Sequence, residues 1–182
     1  MDQGAMRLPL LYSYAVVVLM VTLFSGCRAD RELTMEEALS QGKGRKLVKQ
    51  YESKLEADPT YLIYQLNLSI LYALSCRLDN KLSPKEIEER REKAIQAARS
   101  AFNKQLALSE SDTETLLYTG GILAQIYAVF GELNKMKETF DKLSDKFSHD
   151  QEALGRIQYG RMLLENRVKQ GYPLDVANPF QN

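Results

Sequence analysis

Tryptophan is absent from the 182 residues, histidine occurs once and cysteine twice. A zinc site of His and Cys ligands would consume nearly all of those side chains, and a Ser-His-Asp site would need His149 itself. No enzyme activity, metal or cofactor is expected from so thin a supply of reactive groups. Charge of one sign is not in excess either. Lys and Arg total 24 and Asp and Glu total 24, so the formal net charge is zero. Nothing therefore drives the chain onto nucleic acid by bulk electrostatics, and no nucleic-acid partner is expected. Glycine and proline are few, at 10 and 5, while apolar residues make up 45%. That is the composition of a folded domain rather than of a low-complexity segment.

One long stretch has no charge at all. Between Arg7 and Arg28 no charged side chain occurs, and Leu8 to Phe24 is mostly apolar. A run of about 18 such residues is long enough to cross a bilayer as a helix, or to serve as the apolar region of a secretory signal. Its end decides how it is read. Phe24, Ser25 and Gly26 lead directly into Cys27, with two small residues before the thiol.

This junction resembles the lipobox of bacterial lipoproteins, in which the Cys receives a diacylglyceryl group and the leader is cut off before it. Phe24 departs from the Leu, Val or Ile usual at its position. The alternative is a signal-anchor helix whose last turn contains a Cys. The resemblance implies a signal peptide over residues 1–26, a membrane-lipid anchor on Cys27 and a short linker over 27–33. With Arg28 rather than Asp after the Cys, it implies the outer membrane, facing the periplasm. A triacylated terminus carries enough methylenes, at about 0.8 kcal/mol each, to anchor stably. Lipidation of Cys27 would leave Cys76 without a disulfide partner, and Cys76 reads as a small buried apolar residue.

From residue 34 to 170 the signals are helical. Thr34-Met35-Glu36-Glu37 and Ser83-Pro84-Lys85-Glu86 are capping boxes, and similar starts recur at Ser111 and Ser148. Gly42, Pro59, Gly131 and Gly171 mark stops. The spacing predicts helices over about 34–41, 45–57, 60–77, 84–108, 112–130, 133–147 and 150–169. No stretch alternates cleanly enough for a strand. Short turns force antiparallel hairpins, so the fold class is all-α. Residues 171–182, with Pro173 and Pro179, form an extended tail.

Gly42, Tyr51 and Pro59, followed in register by Leu68, Ser69 and Tyr72, resemble the tetratricopeptide repeat. The pattern returns as Leu123, Ala124, Tyr127, Gly131 and Phe140. The middle unit is stretched, and Leu47 and Lys54 stand where the repeat prefers Ala. The helix from Pro84 still offers a small-residue face of Ala94, Ala97, Ala98 and Ala101. The resemblance implies a short stacked superhelix that mediates protein–protein interaction with one or more envelope proteins, as a scaffold. A looser resemblance, through the leader and Leu117-Tyr118-Thr119-Gly120, is to the T-component lipoproteins of TRAP transporters. It implies, as the alternative, a ligand-binding accessory role.

In that register the first helix of each repeat would line a partner groove. Its residues are Ile63, Leu66, Asn67, Ile70 and Leu74, then Tyr118, Gln125 and Val129. Repeats of this family that grip a C-terminal carboxylate use Lys, Arg and Asn on this face, so a carboxylate clamp is not expected here. The stretched hairpin or the tail could instead fill the groove. Glu86, Glu88, Glu89 and Glu92 read as a solvated helix face, with Glu86–Arg90 and Glu89–Lys93 pairs expected. His149 reads as an exposed turn residue. Gly120-Gly121 within a helix points to close helix packing. Gly42-Lys43-Gly44 is too short for a phosphate loop and follows no strand.

Overall fold

Six helices form between residues 44 and 169 of the computed structural model, which describes Met35 and residues 41–79, 82–108 and 112–171. They are α1 (Gly44–Ala57), α2 (Leu62–Leu78), α3 (Pro84–Ala107), α4 (Thr113–Val129), α5 (Leu133–Lys146) and α6 (Gln151–Lys169). All belong to one unit starting at Met35. The leader, Cys27, the linker and residues 172–182 lie outside the described residues, as does most of the helix expected over 34–41. No helix among the described residues is long and apolar enough to cross a membrane.

Local chemistry sets the boundaries. At α3, Ser83 Oγ accepts from the Glu86 backbone N–H at 3.3 Å, and the Glu86 carboxylate accepts from the Ser83 N–H at 2.8 Å, with Pro84 in the first turn. At α4 and α6 the caps shift from the expected Ser111 and Ser148 regions onto aspartates. Asp112 accepts from Thr115 N–H at 2.9 Å, and Asp150 accepts from Ala153 N–H at 3.0 Å. A carboxylate satisfies the same free N–H groups and also meets the positive end of the helix dipole. Helix α2 starts two residues later than expected. Thr60 is held back by Asp58, whose carboxylate accepts from the Thr60 amide at 3.0 Å and its hydroxyl at 2.7 Å. Helix α4 ends in a Schellman motif. Gly131 has φ +74°, its N–H donates to Ala128 O at 3.1 Å, and Glu132 N–H donates to Tyr127 O at 2.8 Å.

The fold class is all-α, with sequential helices packed as stacked hairpins. Each helix packs on its neighbours in sequence, and alternate helices α2, α4 and α6 also meet. Helix α4 lies at the centre and touches α2, α3, α5 and α6. It is buried from Leu116 to Ala128 apart from the half-buried Tyr118. On α3, Ala94, Ala98 and Ala101 are fully buried, and their small side chains let neighbouring backbones come close.

Two tyrosines, Tyr72 of α2 and Tyr127 of α4, sit in similar niches. Tyr72 of α2 donates its hydroxyl to Glu52 of α1, and Lys93 of α3 lies 5.5 Å from its ring centre. Tyr127 of α4 accepts from Arg99 of α3 at 3.0 Å, and Lys135 of α5 lies 5.8 Å from its ring centre. In both cases the preceding helix holds the hydroxyl and the following helix supplies a cation over the ring. Burial and the neighbouring carboxylate push the Tyr72 hydroxyl well above its ordinary pKa.

The ion pairs along α3 differ from expectation. Glu86 is occupied in the capping box, Arg90 turns to Asp79 at 3.9 Å, and Lys93 reaches Glu52 at 3.7 Å. Within the helix the pairs that form are Lys85–Glu89 at 3.9 Å and Glu88–Arg91 at 3.1 Å. Glu88, Glu89 and Glu92 are exposed, as expected of a solvated face, while Arg90 and Lys93 are drawn to the elements packed beside the helix.

Candidate functional site

Three helix starts come together at one end of the α2–α4–α6 layer and leave a cleft of about 610 Å³ between them. Its walls are Thr60, Tyr61, Leu62, Ile63 and Leu66 from α2 and its lead-in, Glu114, Thr115, Leu117 and Tyr118 from α4, and Arg156 from α6. Ile63 is 54% exposed and Tyr61 43%, although both are large and apolar. Leu66 and Leu117, at 1% and 0%, belong to the packed floor.

The rim is braced by aromatic and polar contacts. Tyr61 lies against Tyr64, with ring centres 4.3 Å apart, and Tyr64 meets Tyr51 of α1 edge-on at 5.9 Å. Gln65 Nε2 donates to Pro59 O at 2.8 Å, tying the lead-in to α2. Thr60 gives its hydroxyl proton to Asp58, and Thr115 gives its own to Asp112 at 2.8 Å. Across the mouth, Arg156 forms a bidentate pair with Glu114, one contact being Nη2 to Oε2 at 2.8 Å. The Arg156 hydrogen bonds hold the Glu114 carboxyl below its ordinary pKa.

Of the groove residues expected from the sequence, the structure brings Ile63, Leu66 and Tyr118 together in the cleft wall. The other five do not line it. Asn67 turns toward α1, its amide donating to the Tyr51 hydroxyl at 3.5 Å. Ile70 and Gln125 are buried in the interior, at 7% and 1% exposure. Leu74 and Val129 are half-buried farther along their helices. Sequence reasoning missed Tyr61, Glu114 and Arg156. Tyr61 precedes the helix proper, and Glu114 and Arg156 are 42 residues apart, so no local spacing joins them.

Other reactive side chains stand elsewhere. Cys76 is half-buried, its Sγ lies 3.5 Å from Ile87 O, and desolvation raises its thiol pKa, which favours the unreactive protonated form. His149 is exposed in the turn before α6. Among the described residues no group of three or more His, Cys, Asp or Glu side chains is placed to hold a metal.

The described residues thus form an all-helical domain of six packed helices with an open, largely apolar cleft across alternate helices. No protein-family model, curated protein or solved structure matches it.

Proposed function

We propose that the protein is a tetratricopeptide-like scaffold, tethered through lipidated Cys27 to the periplasmic face of a bacterial outer membrane. It grips an apolar segment of a partner envelope protein in the α2–α4–α6 cleft and helps assemble or stabilise the partner's complex. The observation that carries this reading is the exposure of Ile63 and Tyr61 beside a built apolar floor, since large apolar side chains gathered in a concavity mark binding surfaces. The paired tyrosine niches support the repeat character. The cleft residues supply packing surface and one closed ion pair, which suits gripping rather than catalysis.

Two measurements test the proposal. Metabolic labelling with a palmitate analogue should mark the native chain and not Cys27→Ala; an unlabelled native chain refutes the anchor. Co-purification from mild-detergent membranes should yield a stoichiometric protein partner with the native chain. Ile63→Glu should lose that partner, while Leu133→Glu, at an exposed site off the cleft, should keep it. Equal recovery with all three removes the cleft as the grip. A cleft of about 610 Å³ also falls in the range of small-molecule sites. A retained small molecule in place of a protein would favour the accessory role beside a TRAP-type transporter.

A further inference from the structure

We infer that the Glu114–Arg156 pair sets the charge the cleft accepts: it admits an uncharged apolar segment of a protein partner and turns away a carboxylate. The inference rests on the reading of the cleft as a grip.

Among the described residues that line the cleft, Arg156 is the sole cation and Glu114 the sole acid. Both terminal nitrogens of Arg156 are occupied by the two carboxylate oxygens of Glu114. That fork-to-fork geometry uses the face of the guanidinium that would otherwise recognise a carboxylate on an occupant. The hydroxyls of Thr60 and Thr115 are likewise committed, each giving its proton to an aspartate outside the cleft lining.

Glu114 already neutralises Arg156, so a carboxylate on the occupant that reached the remaining N–H groups of the guanidinium would gain little and would meet Glu114 as a like charge. Away from the rim, a charge entering the cleft would be desolvated against Ile63, Leu66 and Leu117 with no counter-charge to meet it. An apolar segment suffers neither penalty. The pair joins α4 to α6 across the mouth, with the Arg156 side chain 32% exposed and Glu114 68%. It therefore stands where an incoming group first meets the protein.

Two peptides of one sequence test this: acetyl-Leu-Phe-Leu-Leu as its C-terminal amide and as its free acid, titrated into the protein at low ionic strength. The native chain should bind the amide about tenfold more tightly than the acid. Glu114→Gln frees Arg156 and should tighten the acid about tenfold while leaving the amide within about twofold. Arg156→Gln should leave the acid weak. Circular dichroism confirms that each variant is folded, both sites being at the surface. Equal binding of the two peptides by the native chain overturns the inference, as does an acid-to-amide ratio unchanged by Glu114→Gln. If neither peptide binds the native chain, the grip itself falls and the inference with it. That outcome differs from amide binding that Ile63→Glu abolishes while Glu114→Gln leaves the acid-to-amide ratio unchanged: there the grip stands and the charge inference alone fails.

Discussion

Gly120 and Gly155 both lie inside helices, yet their surroundings are opposite. A Cβ on Gly120 would lie 2.8 Å from Leu143 Cδ1 and 3.0 Å from Phe102 Cε2, whereas nothing lies within 4 Å of one on Gly155. Leu143 and Phe102 are themselves fully buried, so neither has room to withdraw. Gly120→Val should cost about 1–3 kcal/mol by overpacking. Gly155→Ala should gain up to about 1 kcal/mol, because Ala loses less backbone freedom on entering a helix. Urea denaturation reads both, and a Gly120→Val chain as stable as the parent would refute the close approach. The glycine pair was visible in the sequence as a sign of tight packing. Its partners were not, because Phe102 and Leu143 reach Gly120 from two other helices.

At the scale of the element, helix starts were largely foreseeable, since caps depend on side chains within three residues. The starts of α4 and α6 fall within one residue of the expected positions, with an aspartate as the cap, and only α2 begins two residues late. Asp58 captured Thr60, and Asp112 and Asp150 provided the caps at α4 and α6. The caps also make stability respond to acid. Hydrogen bonds from Thr115 hold the Asp112 carboxyl below its ordinary pKa, and those from Ser83 do the same for Glu86. A depressed folded pKa means that the unfolded chain takes up protons first as pH falls. The stabilisation is therefore fully present above the ordinary carboxylate range, at about pH 4, and is lost as pH drops through the lower folded values. The melting temperature should stay nearly level from about pH 7 to 5 and fall below about pH 4. Asp112→Asn combined with Glu86→Gln should lower the melting temperature at neutral pH and flatten the acid slope. An unaltered slope would show that these caps are not the groups responsible.

For the whole molecule, the order of hairpins could be read from the sequence because short turns leave neighbouring helices little choice but to fold back on one another. The cleft could be read only in part. Ile63, Leu66 and Tyr118 follow from helix register, but Arg156 arrives through the stacking of a third hairpin arm, a long-range event. The same stacking makes α4 the keystone, touching four other helices while α1 meets chiefly α2. Amide hydrogen exchange should be slowest in α4, at close to the global unfolding free energy, and fastest at the outer helices α1 and α6. Uniform protection across all six would contradict this order. Helix α4 also has 17 residues, about 25 Å of rise, short of the roughly 30 Å of a bilayer's hydrocarbon. It is too brief to find refuge in lipid and too greasy to remain in water, so its own flanking helices are its only solvent. A molecule that sheds α2 or α6 would leave a bare oily rod, and clumping between such molecules, more than clean reversible melting, is how this protein should fail.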